Sequence, residues 1–202
     1  MRFIAFEKVI PQINKLSLPG LETQLKMAPS FRENLLERFK EAQKSAKLAA
    51  VLALFYPSGT GETNLVLILR KVYKGIHSAQ VGFPGGKPEI DDASLLDTAL
   101  RETWEEIGVS SDKITVLREL TPIYIPPSNF QVHPFIGISN KQLKFKLQVS
   151  EVDAVIEVPL SDFLNDDYEV TSKILDANGT THSVPAFKLK GQIVWGATAM
   201  VW

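Results

Sequence analysis

The sequence predicts an α/β (α+β) fold: a mixed β-sheet sandwiched between α-helices, with an N-terminal helical extension. Three observations carry this. Two apolar runs, LAAVLALFYP and NLVLILRKV, flank the turn-rich PSGTGET, the pattern of two buried strands joined by a hairpin loop. Two stretches, 30–47 and about 94–107, repeat apolar residues at helical spacing. Strands and helices mix without the strict βαβ alternation that would give an all-parallel nucleotide-binding sheet.

Element by element, residues 1–29 read as a short helix or strand, a turn at LPG and a loop. Ser30 and Glu33 have the spacing of an N-terminal capping box, opening a helix whose apolar face holds Phe31, Leu35, Leu36, Phe39 and Ala42. The segment YKGIHSAQVGFPGG is irregular. Ser94 or Asp92 caps the next helix, and Gly108 suits the position just past its end. Strands are expected at ITVLRELTPIYI and QVHPFIGIS around the loop PPSN, then at EVDAVIEVPL, with a short helix near SDFLND. Strands near YEVTSKI and VPAFKL flank the turn DANGT, and QIVWGATAMVW closes the chain as a strand or helix on the core.

Composition narrows the function classes. The 202 residues fit a single domain, 1–202, divided into an extension and helix (1–46) and a core (47–202). With 22 basic and 23 acidic side chains the net charge is −1, which argues against a general nucleic-acid binder. The absence of cysteine excludes disulfides and cysteine-rich zinc sites. No apolar run approaches the length of a membrane span, and charges at Arg2, Glu7 and Lys8 argue against a secretory signal. A soluble cytoplasmic protein is the expectation.

One stretch carries the chemistry: FPGGKPEIDDASLLDTALRETWEEIGV, residues 83–109. On a helix, Leu96, Ala99, Leu100, Thr103, Trp104 and Ile107 are expected to form the buried stripe. Glu102, Glu105 and Glu106 are three or four apart and point to one side. Arg101, four before Glu105, can pair with it. Like charges at this spacing repel, so such a cluster suggests a cation. Oxygen donors without His or Cys favour Mg²⁺ or Mn²⁺ over Zn²⁺. The bland alternative is a solvated helix face. The glycines before the helix favour the cation, because they let backbone approach an anion or metal closely.

RETWEEIGV resembles the ending of the Nudix box, R-E-U-x-E-E-x-G-U with U apolar. Arg101, Glu102, Glu105, Glu106 and Gly108 match, and Thr103 stands at the first apolar position. The usual box has a glycine fourteen residues before the arginine and a glutamate eight before. Here those positions are Lys87 and Ala93, while Gly86 lies fifteen before and Asp92 nine before, so the loop is one residue longer. The stretch from Arg70 to Gly108 is also similar to the coenzyme A diphosphatase branch of Nudix hydrolases, with Arg70, Gln80, Phe83, Pro84, Gly85 and Gly86 fitting. Lys71 replaces a serine of that branch, Gly75 its second arginine and Ala79 a glycine; Lys71 or Lys74 could stand in for the arginine as point charges. The similarity extends to LPGLETQLKMAP, YIPPSNFQVHPFIG, EVDAVIEVPL and VWGATA.

The resemblance implies a Nudix-type fold and metal-dependent hydrolysis of a diphosphate linkage. For the coenzyme A branch the products are 3′,5′-ADP and 4′-phosphopantetheine, free or acylated. Other nucleoside diphosphate derivatives, such as ADP-ribose or dinucleoside polyphosphates, are alternatives, as is a non-catalytic ligand-binding module. It implies Glu102 and Glu106 as metal ligands, with Glu105 as a third ligand or the base, held by Arg101, and the Gly86 carbonyl as a further ligand. Glu151 is a second candidate base by family position. Arg70 is expected at a phosphate or in a surface ion pair. Lys71, His77 and Gln80 are candidate substrate contacts. Phe83 is a further one, although packing under the loop suits it better. Asn129 and Phe130 line the cleft by resemblance. His133, His182 and Trp195 are expected to be structural. The partner is a small-molecule diphosphate, with no nucleic acid or membrane, and a homodimer is a further expectation.

Overall fold

The structure is a computed structural model whose described residues are 1–18, 20–72, 79–175 and 179–201, without the side chain of Glu33. His77, Lys74, Gly75 and the centre of DANGT lie outside them.

Helices α1 (Phe3–Ile13) and α2 (Gly20–Leu25) precede α3 (Arg32–Arg38) and α4 (Lys40–Gln43). The single helix expected over 30–47 is therefore two. Phe39, at φ −104° and ψ 15°, leaves helical geometry between them. The helix begins one residue beyond the expected cap: Phe31, not Ser30, is the N-cap and makes no side-chain capping bond. Strands β1 (Lys47–Pro57) and β2 (Thr63–Arg70) form the expected hairpin, with Phe55 opposite Leu65. Next come the two-residue strands β3 (Val81–Gly82) and β4 (Gly85–Gly86), then α5 (Leu95–Ile107). The strand expected over 114–125 is split into β5 (Thr115–Glu119) and β6 (Ile123–Ile125). They are followed by β7 (Phe130–Ile138), β8 (Val152–Pro159) and α6 (Leu160–Phe163). The chain ends in β9 (Glu169–Leu175), β10 (Thr181–Leu189), β11 (Gln192–Trp195) and α7 (Gly196–Val201). The last segment is thus a strand and then a helix.

The main sheet runs β3-β2-β1-β7-β5, with β4 beside β1, β6 beside β7 and β8 beside β2. It is mixed: β1 and β7 are parallel, while β1–β2, β2–β8 and β5–β7 are antiparallel. Strands β11, β10 and β9 form a second, antiparallel sheet, which the sequence did not separate from the first.

Both faces of the hairpin are buried, and alternation assigns them. Ala50, Leu52, Leu54 and Tyr56 of β1, with Val66 and Ile68 of β2, pack with Ala99 and Ile107 of α5. Ala53, Phe55, Leu65 and Leu67 pack on the other face with Phe3 and Phe6 of α1, Phe187 and Leu189 of β10, and Ala199 of α7. Burial on two sides is why these strands read as continuous apolar runs rather than alternating ones. Each Leu so buried contributes about 1.5–3 kcal/mol of apolar transfer. Polar ties hold the extension down. Arg118 Nη1 donates to the carbonyls of Ile13 (2.9 Å) and Leu16 (2.7 Å), closing the end of α1. Gln24 Nε2 donates to Thr121 O at 2.9 Å.

One departure from the resemblance has a backbone reason. Ala79, where the coenzyme A branch has glycine, sits at φ +55°, a region where a Cβ crowds the following carbonyl. Ala79→Gly is expected to stabilise the protein by about 0.5–1 kcal/mol, strain relief outweighing the added unfolded-state entropy. Equilibrium urea unfolding measures this; a destabilised variant would contradict it.

Candidate active site

Helix α5 carries the acidic cluster, and both its ends are built as expected. Ser94 Oγ accepts from the Asp97 N–H at the N-cap, and Gly108, at φ +72°, closes the C-terminus by donating to Trp104 O. Its buried side differs from expectation. Trp104 is 57% exposed, while Glu106 is 1% exposed. Helical geometry explains the exchange: Thr103 and Ile107 fix the inward face, Glu106 falls beside it, and Trp104 turns out to solvent.

Glu106 points at the glycine pair. Gly85 N–H donates to Glu106 Oε2 at 2.9 Å. Arg70, at the end of β2, donates from Nη1 to Glu106 Oε1 at 3.0 Å and from Nη2 to Gly85 O at 2.7 Å. The β2–β8 register shifts between Leu69 and Arg70, an irregularity of the kind that re-aims a side chain. Burial pushes the Glu106 carboxyl up to about 7, outweighing the pull of Arg70 and the Gly85 N–H; Glu102 and Glu151 add to the upward push. Arg70 is thus bound to a carboxylate in the site, rather than in an ion pair at the surface.

Gly86 is where Glu102 comes closest to the chain. A Cβ on Gly86 would lie 2.2 Å from Glu102 Oε1, so only glycine leaves this carboxylate its place. Burial raises the Glu102 carboxyl, opposed by Arg101. Arg101 Nη1 reaches Glu105 Oε2 at 3.0 Å and Glu102 Oε1 at 3.2 Å.

Asp92 has a role the sequence did not reveal. It was a candidate helix cap, but Ser94 takes that place. Asp92 instead receives Arg101 Nε on Oδ1 and Arg101 Nη2 on Oδ2, each at 3.0 Å. Thr98 Oγ1 and Glu89 N–H also donate to it. These bonds hold its carboxyl well below the usual range, with Arg101 the largest cause. Arg101 Nη2 also donates to Lys87 O at 2.9 Å. The lengthened loop therefore closes onto the helix through Arg101, and the acid nine residues before Arg101 does the tying. That spacing was the one available signal.

The remaining expected residues divide. Glu151 is exposed, and its carbonyl accepts from Lys71 N–H at 2.8 Å, so it sits at the end of β2 beside Arg70. Lys71 pairs with Asp153 at 3.0 Å. Gln80 O accepts from Arg70 N–H at 3.0 Å. Phe83 is a correction: at 4% exposure it belongs to the core cluster and packs under the loop, offering no face to a ligand. Asn129, at φ +53°, shapes the PPSN turn, and its Oδ1 accepts from Tyr124 OH at 2.8 Å. Phe130 is half-buried and carries Lys87 Nζ 5.5 Å above its ring, which brings it to the end of the glycine segment. His133 pairs with Glu119 at 2.6 Å and the His182 ring packs at a tilt against Phe31. Trp195 is only half-buried, more open than a core position.

The family follows from comparison with known proteins. The NUDIX domain family matches residues 46–177. This chain belongs to the Nudix hydrolases. A protein of Yersinia enterocolitica serotype O:8 called "Uncharacterized Nudix hydrolase NudL" is 34% identical over 140 residues, 69% of this chain and 71% of its own. A protein of the same name from Yersinia pestis (strain Pestoides F) is 34% identical over 140 residues, 69% of each chain. Among solved structures, a C. elegans Ap4A hydrolase binary complex aligns over 58% of this chain and 83% of its own, at 18% identity and TM-score 0.48. The NUDIX domain of Shewanella oneidensis NrtR complexed with ADP ribose aligns over 59% and 76%, at 21% identity and TM-score 0.46. The Nudix assignment rests on the family and on the NudL relatives, and it makes the protein a hydrolase acting on diphosphates. No helix among the described residues is long and apolar enough to cross a membrane.

Nudix enzymes generally use divalent metal ions. Among the described residues no three His, Cys, Asp or Glu side chains converge as a ready ligand set. The reason is visible: Arg70 and the Gly85 N–H hold Glu106, while Arg101 holds Glu102 and Glu105. The donor chemistry nevertheless fits Mg²⁺ or Mn²⁺. It consists of carboxylate oxygens beside a glycine carbonyl, and burial pushes the Glu106 carboxyl up to about 7 even with Arg70 beside it, so a further cation would favour its charged form.

Proposed function

We propose that the protein is a metal-dependent diphosphatase that cleaves coenzyme A or acyl-coenzyme A into 3′,5′-ADP and 4′-phosphopantetheine or its acyl form. The reaction class is supported above all by the convergence of Gly85, Gly86, Glu102, Glu106 and Arg70 on one spot. The coenzyme A assignment is supported by the glycine pair of the FPGG segment and by Arg70, which resemble that branch and meet at Gly85 O. The described residues act as one unit, since Phe3 and Phe6 of the extension share a core with Leu65 and Leu67.

Glu102, Glu106 and Glu105, with the Gly86 carbonyl, would hold Mg²⁺ or Mn²⁺. When bound, the ion polarises the phosphoryl oxygens and lowers the pKa of water. Arg101, fixed by Asp92, keeps Glu102 and Glu105 in place. Arg70 is the guanidinium nearest the glycine segment and can turn from Glu106 to a phosphate, a fork suited to two oxygens. Glu105 or Glu151 takes the proton from the attacking water. Glu105 is tied to Arg101, whereas Glu151 is exposed and adds to the field on Glu106, which favours Glu151 as the base. Glu151→Gln is expected to lower turnover by about 10²-fold and to remove the acidic limb of its pH profile. An unchanged rate and profile would assign the base to Glu105.

A second reading keeps the diphosphatase but changes the substrate. Lys71, one of the stand-ins for the missing arginine, is engaged with Asp153, which favours a substrate needing fewer phosphate contacts, such as ADP-ribose. The ratio of kcat/KM values across coenzyme A, ADP-ribose and diadenosine polyphosphates separates the two. The coenzyme A reading expects coenzyme A to lead by about tenfold or more, equivalent to one charged hydrogen bond. ADP-ribose ahead of coenzyme A would overturn it.

A further inference from the structure

A cavity of about 460 Å³ opens between α2, α3 and β6, and shares no lining residue with the carboxylate helix. Its lining joins two chemistries. Leu21, Leu25 and Leu36 supply apolar wall, and Leu21 is 51% exposed. Arg32 lines the same space although it is only 7% exposed. Its Nη2 donates to Tyr124 O at 2.6 Å, but its Nε has no hydrogen-bond partner. Among the described residues no carboxylate pairs with it. A buried guanidinium without a counter-charge is costly, and burial draws its pKa down. Lys40 adds a second cation to the lining, and Glu37, the acid there, is exposed, where water screens it.

We propose that this cavity binds a small amphiphilic anion, its carboxylate or phosphate head on Arg32 and its aliphatic tail along the leucines. Guanidinium is the side chain whose planar fork matches either head. The volume falls within the range of small-molecule sites, and apolar walls with a few placed polar groups are their usual lining. The site is separate from the diphosphatase reading and does not depend on it. Tyr124 joins it to the PPSN turn, because the tyrosine whose carbonyl meets Arg32 also bonds Asn129 through its hydroxyl.

Calorimetric titration of the full chain with octanoate, octyl phosphate and octanol tests this. Saturable one-to-one binding of octanoate, octyl phosphate or both is expected, with octanol about tenfold or more weaker. The stronger anion identifies the head. Arg32→Gln is expected to weaken anion binding by about tenfold or more. If that variant does not fold, Leu36→Trp, which fills the cavity, is expected to abolish binding while keeping the wild-type melting temperature. No binding of either anion, octanol binding as tightly as the anions, or undiminished binding by Leu36→Trp would each overturn the proposal.

Discussion

Replacing Glu106 by Gln is expected to lower turnover by about 10²–10³-fold and, in the metal-free protein, to raise stability above pH 7. The first effect follows from the loss of a carboxylate that would hold the metal, an interaction worth several kcal/mol of transition-state charge stabilisation. The second follows from burial. Glu106 has its pKa raised to about 7 in the folded state, above the ordinary carboxylate value near 4.3. The folded protein therefore binds this proton more tightly than the unfolded chain. The resulting stability is complete below about pH 4 and is lost as pH rises through 7. Gln is neutral throughout and can still accept from the Gly85 N–H. The gain at pH 8 is about 3 kcal/mol, a shift in which the attraction of Arg70 is already counted. Urea midpoints at pH 5 and pH 8 measure it. A variant with wild-type turnover at saturating Mg²⁺ would remove Glu106 from the site.

Gly85→Ala is expected to destabilise the protein by about 3 kcal/mol or more, or to prevent folding. At φ +149° the residue lies where side chains are rarely tolerated, and an added Cβ would lie 2.2 Å from Ala50 O and 2.6 Å from Val51 Cα. Both are backbone of β1, the strand paired with β4, so neither can swing aside. The N–H and carbonyl of Gly85 also hold Glu106 and Arg70. Gly86→Ala should differ in kind. Its Cβ meets the Glu102 carboxylate, which can rotate away, so the fold should persist while turnover falls. Thermal unfolding of the two variants shows the contrast; equal stabilities would contradict it.

Much of this was legible in the sequence, for physical reasons. The β1–β2 hairpin announces itself because both strands are buried on both faces. Helix α5 is delimited by Ser94 and Gly108, whose local chemistry sets its ends whatever lies around them. Where tertiary context decides, sequence reasoning failed. Trp104 looked like core by type but is exposed, and Glu106 is acidic but buried. The helix expected over 30–47 breaks at Phe39 despite continuous periodicity. Asp92 gave only a spacing signal, since its partner Arg101 is a full turn of loop and two turns of helix away. The three-stranded sheet was legible as strands but not as a separate layer, because strand propensity does not specify partners. The Arg32 cavity gave no signal, as a lone arginine in an amphipathic stretch reads as a solvated charge.

The most direct test of the reading as a whole is mass analysis of the products formed from coenzyme A with Mg²⁺ by the wild-type protein and by Glu106→Gln. The expected result is 3′,5′-ADP and 4′-phosphopantetheine in equal amounts from the wild type, and only traces from the variant. Intact coenzyme A after incubation with folded wild-type protein, or equal product from both, would contradict it.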